Sequence, residues 1–157
     1  MRIIVGLGNP GKLYRNNRHN VGHMVIDKFK SQKSKLKKIV VSKTDCFMNE
    51  SGKFVKKLVE QYKINVSDLW IIHDDLDIPL GSYKIQKGKG PRRHKGVLSI
   101  CQQLGSQAFW RVRIGIDNRC LQDRVSGEKY VLEDFTGKER KVLDGVIEEV
   151  CKKLATY

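Results

Sequence analysis

The sequence predicts an α/β fold: a single domain over residues 1–157, with a mixed, mostly parallel twisted sheet and helices on both faces. Three observations predict it. Short apolar runs recur along the chain, and segments of helical apolar spacing separate most of them. The length allows one domain with a real core and is too short for two. Polar residues capable of chemistry follow the apolar runs, where open α/β sheets place their sites.

Residues 3–5, Ile-Ile-Val, read as a buried first strand that ends in a glycine-rich turn carrying Asn9. A polar loop follows and ends at His19-Asn20. Val21, Met24, Val25 and Phe29 share one helical face over 20–29, with Asn20 as its expected cap. Residues 30–38 form a lysine-rich connector, expected to be a solvated link. Residues 39–41 read as a second short strand. Phe47-Met48-Asn49 then leads to Ser51, the expected cap of a helix with Phe54, Val55, Leu58 and Tyr62 on one side. A turn at 65–68 precedes a third strand at 69–72, which ends in His73-Asp74-Asp75. Pro79 and Gly81 make a turn into a half-exposed strand at 83–86. That tight return is why the sheet should be mixed. A basic, glycine-containing loop covers 87–96, and a helix over 97–104 stops at Gly105. Residues 110–116 alternate cleanly, a polar stretch covers 117–128, and a last helix over about 138–154 should bury Val142, Leu143, Val146, Ile147, Val150 and Leu154.

Lys and Arg number 31 against 17 Asp and Glu, a formal net charge of +14. This excess favours a polyanionic partner through phosphate contacts and counterion release. Cys46, Cys101, Cys120 and Cys151 contain no Cys-x-x-Cys pair, and His23 has no partner at ligand spacing. Four reduced cysteines, no metal site and a cytoplasmic location are expected. Gly6 and Asn9 interrupt any apolar leader, and no run approaches a membrane span.

Gly6-Leu-Gly-Asn-Pro-Gly11 matches the dinucleotide pattern G-x-G-x-x-G, but its context is wrong. That motif needs a helix to begin within the glycines. Here Pro10 drives Asn9 from helical dihedrals, and helical spacing starts only near Asn20. No dinucleotide and no other cofactor is expected; the turn serves to project the Asn9 amide. His19, Asp74, Asn9 and Asn49 all map to strand-end loops. If they converge, an aspartate fixes the tautomer of a histidine base, and amides stabilise an oxyanion. The sequence holds no Gly-x-Ser-x-Gly elbow and no cysteine in a catalytic setting, so water is the expected attacker on an activated ester. Asp75 and Asp77 are read as surface residues or turn caps, since the acidic run lacks calcium-loop spacing. Lys87, Lys89, Arg92, Arg93 and Lys95 crowd one glycine-containing loop before a helix, a pattern suited to phosphate.

The sequence resembles the bacterial-type peptidyl-tRNA hydrolase family. The matching stretches are Gly6-Leu-Gly-Asn-Pro-Gly11 with Tyr14, Arg18-His-Asn-Val-Gly22, Phe47-Met-Asn-Glu-Ser-Gly52, His73-Asp-Asp-Leu-Asp77 with Pro79 and Gly81, and Arg113-Ile-Gly-Ile116 with Tyr130-Val-Leu132. They keep the family's order and span most of the chain. The resemblance implies an enzyme that hydrolyses the ester between a peptide and tRNA, and a monomer is expected. It implies that His19 activates water, that Asp74 steadies His19, and that Asn9 contacts the scissile end. It also implies that Tyr14, Phe47 and Asn49 bind the tRNA end or the peptide backbone, and that Lys84 and Arg113 meet tRNA phosphate.

The chain departs from the family pattern in places. The glycine-rich loop ends His94-Lys95-Gly96 where the family has asparagine at the middle position. A charged lysine donates and cannot accept, so Lys95 is expected to face the oxyanion or the terminal phosphate. Pro91-Arg92-Arg93 replaces small residues, and Thr44-Asp45-Cys46 stands where the family has Pro-x-Thr. The segment between the first helix and Phe47 is shortened, as is the C-terminus. An RNA-binding scaffold with weak or lost catalysis is the alternative function.

Overall fold

A computed structural model describes residues 1–32, 38–91, 93–122 and 124–157. Arg92 and most of the 30–38 connector lie outside the described residues. Among these residues, five strands, β1 (Arg2–Gly6), β2 (Ile39–Lys43), β3 (Leu69–Pro79), β4 (Tyr83–Lys87) and β5 (Trp110–Asp117), form one sheet in the order β2-β1-β3-β5-β4. The first four in that order are parallel, and β4 returns antiparallel along β5. The mixed sheet expected from the Pro79–Gly81 turn is present.

Among the described residues, five α-helices accompany the sheet: α1 (Val21–Gln32), α2 (Ser51–Tyr62), α3 (Lys95–Leu104), α4 (Gly127–Val131) and α5 (Gly137–Thr156). Strand alternation decides what each covers. Ile4, Trp70, Ile72, Val112, Ile114 and Ile116 face α1 and α5, whereas Ile3, Val5, Leu69 and Ile71 face α2 and α3. A fully buried Val, Leu, Ile or Phe contributes about 1.5–3 kcal/mol. These two layers make the sheet stable enough to carry buried charge at its carboxyl end.

The chain leaves β1 by α1 to reach β2 on one side, then crosses by α2 to β3 on the other. The order reverses between β1 and β3, so a crevice opens beyond their carboxyl ends. Pairing of β1 with β3 stops at Gly6 and Ile72. Asp74 lies past that point, with no β1 residue paired beside it.

Several local expectations need correction. Strand β3 continues seven residues beyond Ile72, so Asp74 lies within a strand and not on a loop after it. Asn20 does not cap α1; a 3-10 turn, Arg18–Asn20, runs into that helix, and the Asn20 amide bonds Asn9 instead. The Ser51 hydroxyl donates to the Met48 carbonyl from inside the first turn of α2 and caps nothing. Val142 is 47% exposed, because it falls beside the Leu143, Val146, Ile147, Val150 stripe of α5. A real capping box, Thr136 with Glu139, starts that helix.

Candidate active site

Glycine lets α1 reach the crevice. A Cβ on Gly22 would lie 2.5 Å from the Ile72 carbonyl oxygen and 2.6 Å from the Leu7 nitrogen. The helix start therefore rests directly on the ends of β1 and β3, and His19 is delivered over Asp74. The His19 Nδ1 lies 2.9 Å from each Asp74 oxygen. A carboxylate only accepts, so Nδ1 carries the proton and Nε2 keeps its lone pair for a substrate.

A second histidine reaches the same carboxylate from the other face of the sheet. His94 caps α3, accepting from the Val97 N–H through Nδ1 at 3.3 Å. Its Nε2 must then carry the proton, and it donates to Asp74 Oδ1 at 2.8 Å. His94 was read from sequence only as a member of the basic loop. Its position before a helix signals a cap, but nothing local signals the contact with Asp74, twenty residues away.

Charge at this centre is set by neighbours more than by burial. Burial works to lower the His19 pKa, but the charge and hydrogen bond of Asp74 prevail and raise it, with the Lys95 ammonium opposing. Burial works to raise the Asp74 pKa, and the two histidines overcome it, holding the carboxyl far below its usual range. His73 is fully buried, and burial, reinforced by His94, drives it down to about 3. It is a neutral neighbour whose Nδ1 donates to the Asp74 carbonyl at 2.8 Å. The facing atoms of His19, Asp74 and His94 lie within 4.8 Å of one another, close enough to share a metal ion. Their hydrogen bonds already account for this spacing, since His94 uses both ring nitrogens within the protein.

Asn9 is fixed as tightly. Its backbone N–H donates to Asn20 Oδ1 and its carbonyl accepts from Asn20 Nδ2, both at 2.9 Å. Its side-chain Oδ1 accepts from the Met48 N–H at 2.8 Å. A backbone N–H can only donate, so the Asn9 Nδ2 is the group left to donate outward. Thr44 pins the same turn, accepting from Gly8 N–H and donating to the Gly8 carbonyl.

Most of the remaining candidates are exposed. Tyr14 and Phe47 meet edge to face at 6.2 Å, with Phe47 54% exposed. Asn49 is exposed on the 3-10 turn Met48–Glu50. Lys84 is exposed on β4, and Lys89 and Arg93 are exposed on the basic loop. The Lys95 amine is not turned into the pocket: its side chain is 68% exposed and lies 3.9 Å from Glu128 on α4.

Two expectations fail together. Arg113 does not face outward to RNA, and Asp75 is not on the surface. Arg113 Nε donates to Asp75 Oδ2 at 2.7 Å, and its Nη1 donates to Gln86. Asp75 is 1% exposed, although its Oδ1 does accept from Asp77 N–H in a turn. The buried Arg113 supports the basic loop instead. Gly90 has φ +48, and a Cβ there would strike the Arg113 guanidinium at 2.5 Å. Arg111 donates to the Gly90 carbonyl at 2.6 Å.

A further cluster holds the His19 turn from outside. Arg18, 5% exposed, donates to Glu139 at 2.7 Å and to the Tyr130 carbonyl at 3.1 Å, with its guanidinium 3.8 Å from the Tyr130 ring centre. Asn17 pairs with Asp134 as an isolated antiparallel bridge. The residue before the histidine is thus bound to the C-terminal third of the chain.

Comparison with known proteins agrees with this architecture. The sequence model of the peptidyl-tRNA hydrolase family matches residues 3–157. A peptidyl-tRNA hydrolase of Pseudothermotoga lettingae is 38% identical over 162 residues, covering 95% of this chain and 86% of its own. One from Aquifex aeolicus is 37% identical, covering 98% and 88%. The crystal structure of peptidyl-tRNA hydrolase from Acinetobacter baumannii superposes with a TM-score of 0.83 at 29% identity, over 99% of this chain and 87% of that one.

Proposed function

This chain belongs to the peptidyl-tRNA hydrolase family, and on that premise we propose that it uses His19 as the base that hydrolyses the ester between peptide and tRNA. The observation that carries the reading is the pair of 2.9 Å contacts from His19 Nδ1 to Asp74, which leave Nε2 as the base, while the Met48 N–H occupies Asn9 Oδ1 and leaves the Asn9 Nδ2 to donate. Water loses a proton to Nε2 as its oxygen bonds the ester carbonyl carbon. The carbonyl π electrons move onto oxygen, and the Asn9 Nδ2 donates to that oxyanion. Asp74 stabilises the imidazolium, and His94 keeps the carboxylate in place. When the tetrahedral intermediate collapses, the bond to the ribose oxygen breaks. That oxygen takes the proton from His19, leaving free tRNA and a peptide acid.

The rim supplies the substrate contacts in this reading. Tyr14, Phe47 and Asn49 receive the tRNA end and the adjoining peptide, and Lys84, Lys89, Arg93 and Lys95 meet phosphate. Lys95 acts from the rim as a mobile cation that lowers the His19 pKa and draws phosphate inward. Activity is expected from a monomer in the cytoplasm. An intact base, carboxylate and amide argue against a scaffold that only binds RNA. The test is release of free tRNA from N-blocked peptidyl-tRNA by the protein and by His19→Ala. Equal rates would overturn the proposal.

A further inference from the structure

His19 stands on a weak element. The 3-10 turn Arg18–Asn20 is closed by the Val21 N–H on the Arg18 carbonyl, and the Asn20 N–H reaches back to the Asn17 carbonyl at 3.0 Å. So short a 3-10 turn does not hold its shape alone. On its downstream side Asn20 grips Asn9. On its upstream side the grip comes from residues 130–139. The Phe135 N–H donates to the Asn16 carbonyl and the Arg18 N–H to the Glu133 carbonyl, both at 3.1 Å, around the Asn17–Asp134 bridge.

Arg18 fastens this junction. One Nη donates to the Tyr130 carbonyl and the other to Glu139, with the guanidinium over the Tyr130 ring. Glu139 is shared: its Oε1 also accepts from the Thr136 N–H at 2.9 Å, and its Oε2 accepts from the Asn118 amide at 3.1 Å. The Tyr130 hydroxyl accepts from the Asn118 N–H at 2.9 Å and donates to the Ile116 carbonyl at 2.7 Å. One carboxylate thus joins the His19 turn, the end of β5 and the start of α5. A buried ion pair is a weak source of net stability, because desolvation offsets the attraction. The Arg18 Nε, buried without a partner among the described residues, adds to that cost. What the pair supplies is a fixed geometry for the residue beside His19.

We infer that Arg18 and Glu139 are positioning residues: they set the His19 ring against Asp74 and act on hydrolysis through it, without touching substrate. The inference rests on the hydrolase reading and adds to it a clamp from the C-terminal third of the chain. Both residues are buried, away from any path for RNA or peptide. The charged groups that face His19 are Asp74 and, opposing it, Lys95, with the His94 ring 5.0 Å away. Arg18 has its own carboxylate, so it works by geometry and not by charge. A misplacement of about 1 Å at a reacting group costs on the order of 10² in rate.

The test separates positioning from stability with two variants. Arg18→Met with Glu139→Gln removes both charges together; methionine fills the space beside Tyr130, and glutamine keeps an acceptor for the Thr136 N–H. This double variant should unfold at nearly the urea concentration of the unmodified protein. Its kcat on N-blocked peptidyl-tRNA should fall about tenfold to a hundredfold, with KM within about twofold. NMR titration of the histidine rings should place its His19 midpoint nearer 6.5 than in the unmodified protein, where Asp74 raises it. Glu139→Gln alone keeps the hydrogen bond but leaves Arg18 buried without a counter-charge. It should lose stability, while its folded molecules keep kcat and the His19 midpoint. An unchanged kcat and midpoint in the double variant overturn the inference. So does a loss of rate that tracks the loss of stability across both variants, which would make the pair structural only. If the unmodified protein is no faster than His19→Ala, the hydrolase reading fails, and the NMR midpoints still decide whether the pair positions His19.

Discussion

Asp74 and Asp75 are neighbours in sequence and opposites in structure. Each is buried in β3 with a cationic or protonated partner, but alternation sends their side chains to different faces of the sheet. Asp74 accepts from two histidines, and one of them, His19, keeps a ring nitrogen able to take up and release a proton. Asp75 accepts from Arg113, whose charge is permanent. The first arrangement can cycle a proton during a reaction; the second can only hold a fixed shape. In the proposed mechanism one carboxylate serves chemistry; the other forms the floor beneath the basic loop, and the partner sets the difference.

Substitutions can break this contrast. The largest effect is expected from Asp74→Asn, because the His19 Nδ1 proton loses its acceptor charge and the useful tautomer is no longer fixed. A fall in kcat of about 10²–10⁴ is expected, with tRNA affinity little changed. Single-turnover kinetics with a binding assay check this, and an unchanged rate would remove Asp74 from the site. Asp75→Asn should act on stability instead. It leaves Arg113 buried without a counter-charge, at a cost of about 3–5 kcal/mol measured by urea unfolding. The molecules that remain folded should keep the original pH–rate profile.

The contrast also predicts a pH signature. The rate should rise as His19 loses its proton, with a midpoint above the ordinary 6.5 because Asp74 raises it. Lys95→Gln removes an opposing charge and should move the midpoint higher. Stability follows from the same shifts. The His19 pKa is raised on folding, so its contribution is complete below about 6.5 and fades as pH rises through the folded value. His73 and His23 are lowered, to about 3 and about 4, so theirs is complete above 6.5 and is lost as pH falls toward those values. Unfolding free energy should therefore peak near pH 6.5. Below it, the fall should approach about 1.4 kcal/mol per pH unit for each of these two histidines. A flat profile between pH 7 and 5 would contradict the burial of His73.

The smallest effect belongs to the exposed cations, which have neither kind of buried partner. Lys89→Ala with Arg93→Ala should weaken tRNA binding and reduce the slope of log K against log salt by about 1–2, with kcat nearly unchanged. An identical slope would place both residues off the RNA path.

Much of the fold was legible in the chain, because apolar period is a local property. Residues 3–5, 69–72 and 110–116 announced strands, and 97–104 announced a helix with its Gly105 stop. His19, Asp74 and Asn9 were legible as candidates, since polar residues following apolar strands are set by sequence position. The resemblance led to Arg113 as a phosphate contact, and spacing led to Asp75 as a surface residue or turn cap; both side chains are buried. A residue's exposure depends on what packs over it, and the loop that covers Arg113 comes from another strand.

The sequence by itself determined the alternation of strands and helices, the excess of positive charge and the residues able to act as base, carboxylate and amide. Tertiary structure alone decided which of them meet. Pairing of β1 stops short of Asp74, so His19 from one face and His94 from the other can share one carboxylate. It also bound Arg18 to Glu139, 121 residues away, and so tied the turn that carries His19 to the last helix. Hydrogen bonds and ion pairs act through space over about 3 Å, and that proximity is made by folding rather than by order along the chain.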